Sequence, residues 1–211
     1  MDDHGFVCET LSAREIVTFN DAPPPPGTSP WVTGQGPTRD LDVVAPDPSW
    51  PETYAMLAKG IAGVLGGSAV AVEHVGSTSV LDLAAKPVID IDLTVADSGD
   101  ESAYVPALAQ CGFVLVVREP WWYEHRLLRR TDPACNLHVF SAECAECERH
   151  LIFRDWLRGH PEDRALYAAA KTSAAEQTRA ISGHTMDYNT RKESVVREIY
   201  DRAFRALGLL A

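Results

Sequence analysis

Positive charge is what this chain has least of relative to need: 19 Lys and Arg stand against 30 Asp and Glu, a formal net charge of -11. Duplex nucleic acid and anionic lipid surfaces demand a dense basic footprint, so both are excluded as expected partners and a small molecule is favoured. No stretch approaches the roughly 20 apolar residues that span a bilayer, and no basic start followed by an apolar run marks a secretory leader. A cytoplasmic location is expected. Cysteine is scarce and odd in number, with Cys8, Cys111, Cys135, Cys144 and Cys147 in no framework-like spacing, so no structural disulfide is expected. No internal repeat is visible. What is present is 211 residues with 45% hydrophobic content, enough for one full core and a small second lobe.

Residues 21–40 are rich in Pro and Gly, including Pro23 to Pro26, and read as an extended linker. The folded unit is therefore expected to begin near Leu41. Residues 1–20 are treated as an appendage in which Leu11, Ile16, Val17 and Phe19 could make one short element. Ser49-Trp50-Pro51-Glu52 reads as a capping box with proline in the first turn of an amphipathic helix carrying Tyr54, Leu57, Ile61, Val64 and Leu65.

Strands are expected over 68–75, 86–95 and 113–118, with a helix over 102–111 between the last two. A hairpin pairs 126–130 with 136–140. From about residue 144 the pattern becomes helical, with stripes Leu151, Ile152, Trp156, Leu157; Leu166, Tyr167, Ala170, Ala174; and Tyr188, Val195, Val196, Ile199, Ala203, Leu207. Strands first and helices last indicate an α+β fold, a mixed sheet with a helical lobe over 144–211.

The chemistry concentrates on Asp90 and Asp92. One residue apart on a strand, they project from the same face, amid Val88, Ile89, Ile91, Leu93 and Val95. Two carboxylates so placed need a cation, and Mg2+ (or Mn2+) takes such oxygens beside phosphates. Thirteen residues before Asp90 lies Gly76-Ser77, which can serve as a tight turn and let backbone and hydroxyl approach a phosphate. Lys86 either neutralises phosphate charge or snorkels at the strand start. His138 reads as a satisfied core histidine, a metal ligand, or a general base, with an active-site role favoured. Arg154, Lys171 and Lys192 are the chosen phosphate ligands from a basic side of the helical lobe, with Asp155 orienting an arginine. Trp121-Trp122-Tyr123 can stack a base or cap the sheet. Cys144, Cys147 and His150 have spacing that suggests zinc, the less favoured reading.

The residues His74-Val75-Gly76-Ser77-Thr78-Ser79-Val80, Leu83-Ala84-Ala85-Lys86-Pro87, Ile89-Asp90, Leu137-His138-Val139, Arg149-His150-Leu151, Phe153 to Arg158, Tyr167, Lys171, Tyr188 and Lys192 resemble the GrpB family, also called UPF0157, over roughly 41–205. That family is similar to nucleotidyltransferases of the polymerase-beta type, whose signature of a Gly-Ser pair and two acids separated by one hydrophobic residue fits Gly76, Ser77, Asp90 and Asp92. The resemblance implies a nucleotidyltransferase-like sheet. The function expected is transfer of a nucleoside monophosphate from a nucleoside triphosphate, ATP first, to an unidentified small acceptor, or activation of a carboxylate for ligation. A non-catalytic nucleotide-binding module is the alternative. Two departures stand out: Leu81-Asp82 replaces the Pro-Gly usual in relatives, and the strand expected to carry a third acid carries His138 instead.

Overall fold

The computed structural model describes residues 11–20, 23–32 and 34–211. Cys8 and positions 21, 22 and 33 of the expected linker lie outside the described residues. Five strands, β1 (Ala71–Val75), β2 (Ile89–Val95), β3 (Val114–Glu119), β4 (His125–Thr131) and β5 (Ala134–Ser141), form one sheet in the order β1-β2-β5-β4-β3. All pairs are antiparallel except the central β2–β5 pair. The sheet is therefore mixed and the fold α+β, as the sequence pattern indicates. Asp132-Pro133 makes the two-residue connection of the expected hairpin.

One face of the sheet is apolar. Ile89, Ile91, Leu93 and Val95 of β2, with Cys135, Leu137 and Val139 of β5, form one buried cluster with Trp50, Leu57, Ile61 and Leu65. Those last four lie on α2 (Trp50–Leu65), at near-helical intervals that give a single inward stripe. Burying each large aliphatic side chain contributes about 1.5–3 kcal/mol, which makes this face the main source of stability. Leu108 of the short α3 (Val105–Gln110) completes the cluster. The capping box expected at Ser49 is not formed: Ser49 makes no side-chain cap, and its own amide is held by the Asp47 carboxylate at 2.8 Å. Val64, expected on the buried stripe, is exposed.

The opposite face is covered by three helices, α4 (Ala145–Gly159), α5 (Pro161–Ala180) and α6 (Thr185–Ala206). Val80 and Leu83, from the connection after β1, insert into a core made by Leu157, Tyr167 and Ile199 of these helices. The chain between β1 and β2 is thereby pinned between sheet and lobe. Leu166 and Leu207, expected on buried stripes, are exposed, whereas Arg149 is fully buried.

The N-terminal segments also pack on the domain. A five-residue helix, α1 (Ala13–Val17), carries a complete Ser12–Glu15 capping box. The buried Arg149 guanidinium donates to the carbonyls of Glu15, Ile16 and Thr18 at 2.8–3.2 Å, and Phe19 packs on Tyr200. Trp31 bridges Val117 on the outer edge of β3, and the Arg118 amide donates to the Pro30 carbonyl at 2.8 Å. The extended stretch thus acts as a partial extra strand. No helix among the described residues is long and apolar enough to cross a membrane.

Candidate functional site

Strand parity builds the site. In β2, Asp90 and Asp92 alternate with the buried isoleucines and leucine, so both leave the apolar face and point toward the helical lobe. Register then places Asn136 beside Asp90 and His138 beside Asp92 on β5, while Val75 and Glu73 flank the same two acids on β1. Asn136 donates to Asp90 Oδ1 at 2.8 Å, and His138 Nε2 lies 4.0 Å from that oxygen. The expected adjacency of His138 and the acid pair follows from the parallel pairing of the two central strands.

Gly76 occupies φ +67°, ψ -169°, and a Cβ there would meet Asp90 Oδ2 at 2.4 Å and its Cβ at 2.9 Å. Only glycine combines that backbone with such an approach. Ser77, half-buried, opens the single 3-10 turn that follows, so the Gly-Ser pair and Asp90 meet in space. Two arginines of α4 fix this loop: Arg158 donates to the Ser79 carbonyl at 2.8 Å, and Arg154 donates to the His74 carbonyl at 3.1 Å and Glu73 at 3.0 Å. Arg154 also pairs with Asp155 at 2.8 Å, the orienting acid expected for it. Its guanidinium buttresses the loop. Asp82 takes φ +63° in the turn expected to depart from the family pattern; aspartate is among the side chains that tolerate this region.

A second group faces Asp90 from the lobe. Lys171 is buried and donates to the Ala84 carbonyl, with its ammonium 4.8 Å from the centre of the Tyr167 ring. Lys192 lies over both Tyr167 and Tyr188, at 5.7 and 5.4 Å, and Lys86 lies over Tyr188 at 5.8 Å. None of the three lysines forms a salt bridge among the described residues. Burial, reinforced by Lys192 and only partly opposed by Asp90, lowers Lys171 to about 7. Burial likewise lowers Lys86. Burial raises Asp90, against the Asn136 hydrogen bond and the two nearby lysines. Three ammonium groups face Asp90 here without a salt bridge among the described residues, and burial lowers two of them, so the site gains from an anion.

His150, read from sequence in the zinc spacing and in the family-like run 149–151 but not as a partner of the acid pair, joins the site. From α4 its Nδ1 meets Asp92 Oδ2 at 2.8 Å, and its Nε2 meets Glu146 at 3.4 Å. Burial opposes its charge, but these two carboxylates hold it well above the usual histidine value. His138 goes the other way: burial, then His125, His150 and Arg129, push it well below. Behind His138 stands His125, whose Nε2 lies 3.1 Å from His138 Nδ1 and whose Nδ1 lies 2.8 Å from Glu119. Trp122 packs on His125 and Phe140 as a lid on this group, the capping role of the two read from sequence. Cys144 and Cys147 are free thiols, and no cluster of three or more His, Cys, Asp or Glu among the described residues is arranged to hold a metal.

Comparison with known proteins decides the relationship. The GrpB protein family model matches residues 40–202. This chain belongs to the GrpB family. A UPF0157 protein of Halalkalibacterium halodurans is 49% identical over 157 residues, covering 74% of this chain and 79% of the relative. The crystal structure of the conserved protein GrpB from Enterococcus faecalis superposes with a TM-score of 0.67 at 25% identity, covering 79% of this chain and 99% of that one. A dephospho-CoA kinase of Mycolicibacterium paratuberculosis is 29% identical over 188 residues, which cover 77% of this chain but 46% of the kinase. The aligned region thus accounts for less than half of that kinase's length.

Proposed function

We propose that this GrpB protein is a metal-dependent enzyme of nucleotidyltransferase type that binds a nucleoside triphosphate, ATP first, between the polar sheet face and the helical lobe. The carrying observation is the convergence of the Asp90–Asp92 face, the Gly76–Ser77 turn and the lysines 86, 171 and 192, none of which forms a salt bridge among the described residues. Phosphate oxygens would take the Ser77 hydroxyl and the three ammonium groups, and Tyr167 and Tyr188 keep those lysines in place. Arg154 acts by holding the loop.

The donor set fits Mg2+. Asp92 Oδ1 is buried without a hydrogen-bond partner, and Asp90 is raised by burial, so both carboxylates would gain from a hard cation. The chemistry such an ion supplies is neutralisation of charge on the transferring phosphoryl group. His138, uncharged at neutral pH, accepts the proton of an acceptor hydroxyl or amine, whose oxygen or nitrogen attacks the α-phosphorus as pyrophosphate leaves; a carboxylate acceptor needs no base.

The test is calorimetry with ATP and Mg2+, together with pyrophosphate release over a library of acceptors, for wild type, Asp90→Asn and Asp92→Asn. Wild type is expected to bind ATP and turn over, each substitution lowering the rate at least about 100-fold. Absence of ATP binding to wild type would refute the proposal. One observation favours a non-catalytic nucleotide-binding module instead: His150 already engages Asp92 Oδ2, and His138 stands where a third acid would. In that case ATP binds and no acceptor releases pyrophosphate.

A further inference from the structure

Cys144 and Cys147 form a C-x-x-C pair at the start of α4, and the chemistry proposed above uses neither. Cys144 is the N-cap, with extended backbone at φ -83°, ψ 122°. Cys147 is the third helical residue, and its amide donates to the Cys144 carbonyl at 3.1 Å. One helical turn sets their Cα atoms about 5 Å apart, inside the roughly 4.4–6.8 Å that a disulfide spans. That spacing lets the sulfurs join by side-chain rotation.

The two thiols are not equivalent. Cys144 lines an open cavity of about 660 Å³ together with Leu11, Phe19, Tyr123, Ser141 and Ala145, a volume within the range of small-molecule pockets. Cys147, half-buried, stands behind it near Thr94 of β2. At the N-cap, the unpaired amides and dipole of a 15-residue helix favour a sulfur in its thiolate form. The Cys147 thiol, then the amides of Glu146 and Cys147, hold Cys144 below its ordinary value against burial and the Glu146 carboxylate. Cys135, by contrast, is buried in the sheet core, and Cys111 lies at the end of α3 against the Gly60 carbonyl of α2.

We propose that Cys144 and Cys147 are a redox-active dithiol, with Cys144 the attacking sulfur and Cys147 the resolving one, and that the oxidant is a low-molecular-weight disulfide entering the cavity. The Cys144 thiolate attacks one sulfur of that disulfide, whose S–S bond breaks, and the first small thiolate leaves and takes up a proton. Cys147 then gives up its proton and attacks the Cys144 sulfur of the mixed disulfide, expelling the second small thiol. The protein loses two electrons and two protons, and the small disulfide becomes two thiols. An excess of the same thiol reverses the exchange. The pair brackets Glu146, which holds Arg149 and His150, so oxidation closes a covalent loop around the turn that anchors both. This chemistry is independent of the nucleotide reading.

The test uses the full chain, reduced and freed of reductant, mixed with hydroxyethyl disulfide at neutral pH and quenched with acid. Remaining thiols are alkylated after unfolding and mapped by tandem mass spectrometry. Wild type is expected to lose two alkylatable thiols as one Cys144–Cys147 link. Cys147→Ser should stop at the mixed disulfide on Cys144, formed at least about 10-fold faster than on Cys111. Cys144→Ser places a preferred capping residue at the helix start, which protects the fold; it should form no link, and its Cys147 adduct should appear at least about 10-fold more slowly than the Cys144 adduct. A wild type that keeps both thiols, or stalls at the mixed disulfide, overturns the proposal. So does a link from Cys144 to Cys8 or Cys135 in place of Cys147, or a Cys144 that reacts no faster than Cys111 in Cys147→Ser or than Cys147 in Cys144→Ser.

Discussion

Replacing Gly76 by alanine tests the link between the loop and the acid pair. The new Cβ would sit 2.4 Å from Asp90 Oδ2 and 2.9 Å from its Cβ, so turning the carboxylate aside cannot fully relieve the overlap. The backbone at φ +67°, ψ -169° adds strain of about 1–3 kcal/mol for a residue with a side chain. Overpacking against Asp90 adds about another 1–3 kcal/mol. A loss of about 2–6 kcal/mol in a chain of this size corresponds to a fall in Tm of roughly 5–20 °C, readable by differential scanning calorimetry. Asp90→Ala removes the carboxylate from the overlap but leaves the backbone strain. The double variant should therefore be more stable than additivity predicts, by about 1 kcal/mol or more. A Gly76→Ala protein melting within about 2 °C of wild type, or a strictly additive cycle, would refute the claimed contact.

Arg149→Met removes a fully buried charge from Glu146, the Tyr123 hydroxyl and three N-terminal carbonyls; urea unfolding should show a loss of about 3–5 kcal/mol, with faster proteolysis of residues 11–20. Glu146, although burial opposes its charge, is held at about 2 by His150 and Arg149 against an ordinary 4.5. Its folded value lies below its unfolded one, so about 3 kcal/mol of stability is complete above pH ~4.5 and lost as pH falls toward ~2. Urea midpoints between these limits should flatten in Glu146→Gln. Lys171, lowered to about 7, is partly uncharged at pH ~7.5, and an anion beside it must raise it. Calorimetric titration of ATP in buffers of different ionisation enthalpy should reveal proton uptake, abolished in Lys171→Met; proton release would contradict the lysine assignment.

The strands and long helices were readable because alternation and helical periodicity act locally, as in β2, where acids and aliphatics take opposite faces. The Gly76–Asp90 pair was readable for the same reason, through a fixed distance along the chain. What escaped depends on register between strands and on tertiary burial. Asn136 shares strand parity with His138, but its contact with Asp90 exists only because β5 runs parallel to β2. His125 lies one residue before the strand expected to begin at Arg126, which was enough to hide its contact with His138. Arg149 belongs by spacing to the basic side of the helical lobe, and no local pattern reveals that three carbonyls of a distant segment wait for it. The cap at Ser49 failed where a genuine one formed at Ser12, since the Asp47 carboxylate took the Ser49 amide that a capping box would offer to Glu52.

The docking of Pro30 to Val32 along β3 matters beyond geometry. The Val32 amide donates to the Val116 carbonyl at 3.0 Å, and the Pro30 carbonyl accepts from Arg118, so the proline-rich stretch seals a flank of the sheet that another polypeptide could otherwise extend. Shortening the chain to begin at Leu41 would unmask that row, turning a self-closed edge into a template for intermolecular β-addition.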